Sequence, residues 1–131
     1  HRGLKGHSDA DVLLHAVMDA LLGAAGLGDI GDLFPSSDPK WRGVESTRLL
    51  DIVMGKIRKK GWRVGNLDCT IVAETPKLKS YLPIMQEKIC EITGLALANC
   101  NIKATTAERL GFIGRREGIM ASAICSLLQE R

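Results

Sequence analysis

The chain has 131 residues, a length that supports one hydrophobic core and not two. Hydrophobic residues make up 45% of it and aromatics only 4%, so the core is expected to be aliphatic, built from many small contacts. A net charge of +3 with mostly scattered Lys and Arg argues against a nucleic-acid surface, and no run is apolar and long enough to span a membrane.

In chain order, the first segment reads Gly6-His7-Ser8-Asp9-Ala10-Asp11-Val12-Leu13-Leu14-His15-Ala16-Val17-Met18-Asp19. Ser8 with Asp11 three residues on is an acidic variant of a capping box, which predicts a helix over residues 8–27 before Gly28. Its sides are nearly all Leu, Val, Met, Ala or Gly, whereas Asp11, His15 and Asp19 are four apart and share one stripe. The helix is therefore expected to be largely buried, with polar groups in need of partners. An imidazole between carboxylates suits metal ligation or proton chemistry, with Asp11 and Asp19 fixing the ring of His15. A neutral histidine held by a local hydrogen bond fits the same pattern, and the second histidine, His7, favours the chemical reading.

Residues 28–39, rich in Gly, Asp, Ser and Pro, predict a loop. Following a helix with two histidines, it is a place to hold a phosphate-metal assembly or a sugar hydroxyl; it also reads as an ordinary surface turn. A second helix is expected over 45–60, with Leu49, Leu50, Val53, Met54 and Ile57 on one side. Its basic end, Lys56-Ile57-Arg58-Lys59-Lys60, opposes the partial negative charge of a helix C-terminus, and Gly61 is the stop. Residues 64–73 alternate as a strand, and Pro76 opens a third helix that runs to residue 93 and stops at Gly94. Residues 100–105 resume a strand pattern, so this strand-helix-strand unit predicts a parallel pair. The last segment, 117–128, reads as a strand or a buried helix, its small residues favouring a tightly packed strand. Cys69, Cys90, Cys100 and Cys125 show no CxxC spacing and sit in apolar runs, as small buried hydrophobes in a reducing compartment would.

Two strand ends point to function. Residues 73–77 and 104–108 leave a parallel pair at one edge, where open α/β sheets bind ligands. Backbone N–H groups, Lys77 and the threonine hydroxyls there suit the phosphates of a nucleotide, although Thr105-x-x-Glu108 taken alone reads first as a plain capping box.

Four blocks, in order, resemble one known family: His7-Ser8-Asp9-Ala10-Asp11 through His15; Asp19-Ala20-Leu21-Leu22-Gly23-Ala24-Ala25; Gly28-Asp29-Ile30-Gly31-Asp32-Leu33-Phe34-Pro35; and Lys103-Ala104-Thr105-Thr106-Ala107-Glu108-Arg109-Leu110-Gly111-Phe112-Ile113-Gly114-Arg115-Arg116-Glu117-Gly118. Over essentially the whole chain the sequence resembles the 2-C-methyl-D-erythritol 2,4-cyclodiphosphate synthases. The resemblance implies a single α/β (α+β) domain, a mixed β-sheet covered on one face by helices, assembled as a homotrimeric β-prism with active sites between subunits. It implies conversion of 4-diphosphocytidyl-2-C-methyl-D-erythritol 2-phosphate to the cyclodiphosphate and CMP in the non-mevalonate isoprenoid pathway. That is phosphoryl transfer without a protein nucleophile, so the protein positions phosphates and metals neutralise charge.

Carried over by position, His15 resembles a ligand of a catalytic Zn²⁺, and Glu108 the ligand of a second divalent ion, Mg²⁺ or Mn²⁺. His7, Thr105, Thr106 and Glu108 resemble the catalytic set. His7 and Ser8 resemble residues facing the methylerythritol phosphate, and Asp29, Ile30 and Gly31 the binders of its hydroxyls, with Phe34 closing the pocket. Ala73, Glu74, Thr75, Pro76, Lys77, Leu78, Lys79 and Ala104 correspond to the cytidine and diphosphate pocket, which Thr105 and Thr106 adjoin. Phe112, Arg115 and Glu117 correspond to a cavity on the threefold axis that takes an isoprenoid diphosphate. The family's Asp-x-His motif, which supplies two more zinc ligands, precedes the His7 block and is not in this sequence; zinc sites of this kind take about three protein ligands. The sequence begins at His1 without an initiator Met, so an upstream segment with the first strand is expected. Two other readings stand beside the enzyme: a non-catalytic trimer that binds nucleotide or isoprenoid phosphates, and the C-terminal part of a bifunctional cytidylyltransferase/cyclase. The expected setting is bacterial cytoplasm or plastid stroma.

Overall fold

The computed structural model describes residues 2–73, 76–105 and 119–130, with the side chains of 2–9, 76 and 77 left aside. Helix α1 (Arg2–Ala24) begins well before Ser8. Ser8 therefore does not cap it, since a capping residue needs extended backbone. Leu4 and Lys5 are good helix formers and no proline interrupts the first turns, so the helix propagates back through the capping signal. Leu13, Leu14, Val17, Met18, Leu21 and Leu22 recur at helical spacing and form the centre of the core.

After a short helix α2 (Ile30–Leu33) and a 3-10 turn (Pro39–Trp41) comes α3 (Ser46–Lys59). It buries Leu50, Val53, Met54 and Ile57 and carries Lys56, Arg58 and Lys59 in its last turn, as expected. Strand β1 (Trp62–Val72) alternates, with Leu67, Cys69 and Ile71 fully enclosed. The expected third helix divides into a 3-10 turn (Pro76–Tyr81) and helix α4 (Leu82–Thr93). Pro83 explains the division: its ring clashes with the carbonyl four residues back in a continuous α-helix but is tolerated in a first turn. Gly94 ends α4 with φ +81, a left-handed backbone that favours glycine.

Strand β2 (Cys100–Thr105) pairs parallel with β1, as the strand-helix-strand unit predicts. The last segment is a strand, β3 (Met120–Gln129), antiparallel to β1 on its other side. The result is a mixed three-stranded sheet in the order β2-β1-β3. Helices α1, α3 and α4 pack on one face of it. On the other face β3 exposes Met120, Ile124 and Leu128, with Ile124 75% exposed. All four cysteines are free, and burial pushes the Cys69 and Cys100 thiols up to about 12, which fits their role as apolar filler. Among the described residues no helix is long and apolar enough to cross a membrane.

Candidate functional site at the strand ends and the α1 loop

The two strand ends meet. Val72 is paired with Thr105, and one residue further the Ala73 N–H donates to the Thr105 carbonyl at 3.0 Å. Parallel pairing thus brings Ala73 and Thr105 to one sheet edge, although they are 32 residues apart in sequence. Ala73 is buried, and Leu78 buries its side chain to root the 3-10 turn while Lys79 stays exposed. The turn also touches α1. Ala104 is half-buried and Thr105 exposed at the end of β2. Pro76 and Lys77 lie on the backbone of the turn.

The loop after α1 is built, not slack. Asp29 accepts the Asp32 N–H at 2.8 Å and so caps α2, and the Phe34 N–H closes on the Ile30 carbonyl at 2.7 Å. Gly28 has φ +86, and a Cβ there would lie 2.9 Å from the Asp32 carboxylate. From α1 the Asp19 carboxylate reaches across and accepts the Ile30 N–H at 2.9 Å. Phe34 is buried, its ring edge-on to Trp41 at 4.8 Å, and Lys40 sits 4.8 Å over Trp41. The loop is thus ordered by its own hydrogen bonds and by the Phe34–Trp41 contact.

The polar stripe is real but lies on the outer side of α1: Asp11, His15 and Asp19 are all exposed. The expectation that these groups are buried with each other is corrected, because leaving them in water avoids the cost of desolvating two carboxylates. His15 Nε2 lies 3.5 Å from Ser46 Oγ at the start of α3, and Asp19 serves the loop instead of the imidazole. Ser46, only 8% exposed, escapes sequence reasoning because a Ser at a helix start reads as a cap. Among the described residues no three His, Cys, Asp or Glu side chains converge to hold a metal ion. His15 alone is one donor where a zinc site takes about three. The side chains of His7, Ser8, Pro76 and Lys77, and Glu74, Thr75, Thr106, Glu108, Phe112, Arg115 and Glu117 entirely, lie outside the described residues.

A separate polar network occupies the open sheet face. Lys103 and Asn101 on β2 both donate to Asp68 on β1, the latter at 3.1 Å. The Lys103 hydrogen bond, then that of Asn101, holds the Asp68 carboxyl below its usual range. A groove of about 440 Å³ between α3 and α4, lined by Thr47, Arg48, Asp51, Arg58, Glu91 and Ile92, contains none of the candidate site residues.

Comparison with known proteins gives one answer. The YgbB family model matches residues 1–128. A 2-C-methyl-D-erythritol 2,4-cyclodiphosphate synthase of Clostridium acetobutylicum is 52% identical over 127 residues, 97% of this chain and 82% of that protein. One from Nostoc punctiforme is 56% identical over 128 residues, 98% of this chain and 80% of that protein. Among solved structures, the bifunctional IspDF from Campylobacter jejuni superposes with TM-score 0.85 and 43% identity, covering 90% of this chain and 32% of that one. IspF from Plasmodium falciparum in a CDP complex follows with TM-score 0.79 and 28% identity, covering 92% of this chain and 72% of that one.

Proposed function

The chain belongs to the YgbB family of 2-C-methyl-D-erythritol 2,4-cyclodiphosphate synthases, and from that premise we propose how its residues divide the work of the reaction. The substrate is 4-diphosphocytidyl-2-C-methyl-D-erythritol 2-phosphate. An oxygen of its 2-phosphate bonds to the β-phosphorus, the bond from that phosphorus to the bridging oxygen breaks, and CMP leaves with that oxygen. Attacking group and leaving group belong to one molecule, so the protein's task is to hold both in line.

The observation that carries this reading is the junction of the strand ends at Ala73 and Thr105. Residues 73–79 and Ala104 hold the cytidine and diphosphate there, and Thr105 with Thr106 contacts the phosphates. The loop of Asp29, Ile30 and Gly31 holds the erythritol hydroxyls, its far end fixed by Phe34 against Trp41. His7 and Ser8 serve the 2-phosphate end. His15 is one ligand of a zinc ion completed by donors outside the described residues, and Glu108 holds a second divalent ion, Mg²⁺ or Mn²⁺. Such ions, when bound, neutralise charge on the phosphates.

The open face of the sheet, with Met120, Ile124 and Leu128 exposed, supports a homotrimer whose sheets pack together and whose active sites fall between subunits. Phe112, Arg115 and Glu117 would then line an axial cavity for an isoprenoid diphosphate. Bacterial relatives favour a bacterial cytoplasm as the setting. The likeness to a bifunctional protein keeps a fused cytidylyltransferase as the second reading, which the intact mass of the natural product decides. The test of the main reading is CMP release from the diphosphocytidyl substrate by the natural protein with Zn²⁺ and Mg²⁺. Release that stops on chelation is expected, whereas CMP binding without release would reduce the protein to a binding module.

A further inference from the structure

We propose that Asp19 is a positioning residue for the substrate-holding loop, acting through the Ile30 amide; this rests on the functional reading of residues 29–31 above. Asp19 Oδ1 accepts the Ile30 N–H at 2.9 Å across eleven residues of sequence. The Ile30 N–H heads α2 and has no acceptor within its own helix, as for every first-turn amide. Asp29 satisfies a later amide of the same turn, that of Asp32, at 2.8 Å. The short helix is therefore capped twice, once from within the loop and once from α1.

That second cap joins two parts of the site. His15 and Asp19 are one helical turn apart on the same exposed stripe of α1, so the helix that presents the imidazole also sets where the loop begins. A hydrogen bond with an ionised acceptor is the strong kind, and this one fixes a backbone point inside the 29–31 segment. Asp19 is itself exposed, so its loss leaves no cavity in the core. It acts through the loop and is not placed against the substrate.

The test compares Asp19→Ala with Asp19→Asn, which keeps an oxygen acceptor without the charge. Ile30 amide hydrogen exchange, KM and kcat for CMP release, Zn²⁺ affinity and melting temperature are measured in both and in wild type. Asp19→Ala is expected to speed Ile30 exchange and raise KM by about tenfold, as loss of one charge-assisted hydrogen bond implies. Its kcat should change far less, zinc affinity should stay at the wild-type value, and the melting temperature should fall by at most about 4 °C. Asp19→Asn should recover most of the exchange protection and KM. Unchanged KM and Ile30 exchange in Asp19→Ala overturns the proposal, as does Asp19→Asn impaired as deeply as Asp19→Ala. A fall in zinc affinity in either variant would return Asp19 to the metal site and overturn it too. A wild-type protein that releases no CMP overturns the functional reading and this proposal together, whereas an active wild type matched by Asp19→Ala overturns this proposal alone.

Discussion

At Gly28 the chain has little choice of residue. Its φ of +86 lies in the left-handed region, and the space a Cβ would take is 2.9 Å from the Asp32 carboxylate. Gly28→Ala is expected to cost about 1–2 kcal/mol from the backbone alone, since a left-handed conformation disfavours any Cβ. Displacement of Asp32 adds to this and disturbs the turn capped by Asp29. Urea denaturation measures the first effect, and substrate KM the second, which should rise even where the protein remains folded. An Ala variant with wild-type stability and KM would show that the loop relaxes freely. The same scale marks a limit of sequence reasoning. That Asp11, His15 and Asp19 share a face follows from their spacing, but which group each one meets does not. His15 lies near Ser46, 31 residues away, and Asp19 meets an amide eleven residues away; neither pairing leaves a local signal.

Among the elements, the parallel pair was legible because a strand, a helix and a second strand leave few other connections, and the junction of Ala73 with Thr105 follows from it. Helix α3 was legible through the spacing of its buried residues, and its basic end and Gly61 stop matched the dipole argument. The start of α1 departs from its capping signal because that signal competes with propagation and loses when good helix formers precede it. The division before α4 was readable in principle from Pro83, whose cost inside a helix is fixed by its ring. Sheet electrostatics adds a pH prediction. Asp68 is held below its ordinary value of 3.8 by hydrogen bonds from Lys103 and then Asn101, so its folded form binds a proton less readily than its unfolded form. Its contribution to stability is therefore present above the unfolded value and fades as pH falls through the lower folded one. The melting temperature of wild type should exceed that of Asp68→Asn at neutral pH, and the gap should close in strong acid. A gap that widened on acidification would contradict this assignment.

For the whole molecule, the proposed trimer rests on the asymmetry of the sheet. One face is closed by α1, α3 and α4, and the other leaves Ile124 75% exposed beside Met120 and Leu128. Met120, Ile124 and Leu128 alternate with Ser122 and Ser126 on that face, and covering them removes apolar surface from water. Ile124→Lys should leave the single chain folded, because the side chain meets little of its own core, yet shift a trimer to monomers in sedimentation velocity. A trimer unaffected by the substitution would place the interface elsewhere. The central claim is that the chain holds two phosphates of one molecule in line so that the substrate supplies its own nucleophile. The most direct measurement is turnover in ¹⁸O-water with Zn²⁺ and Mg²⁺, followed by ³¹P NMR and mass spectrometry of both products. The account predicts equimolar CMP and cyclic diphosphate with no ¹⁸O in either; a linear product carrying ¹⁸O would show that water attacks and would contradict it.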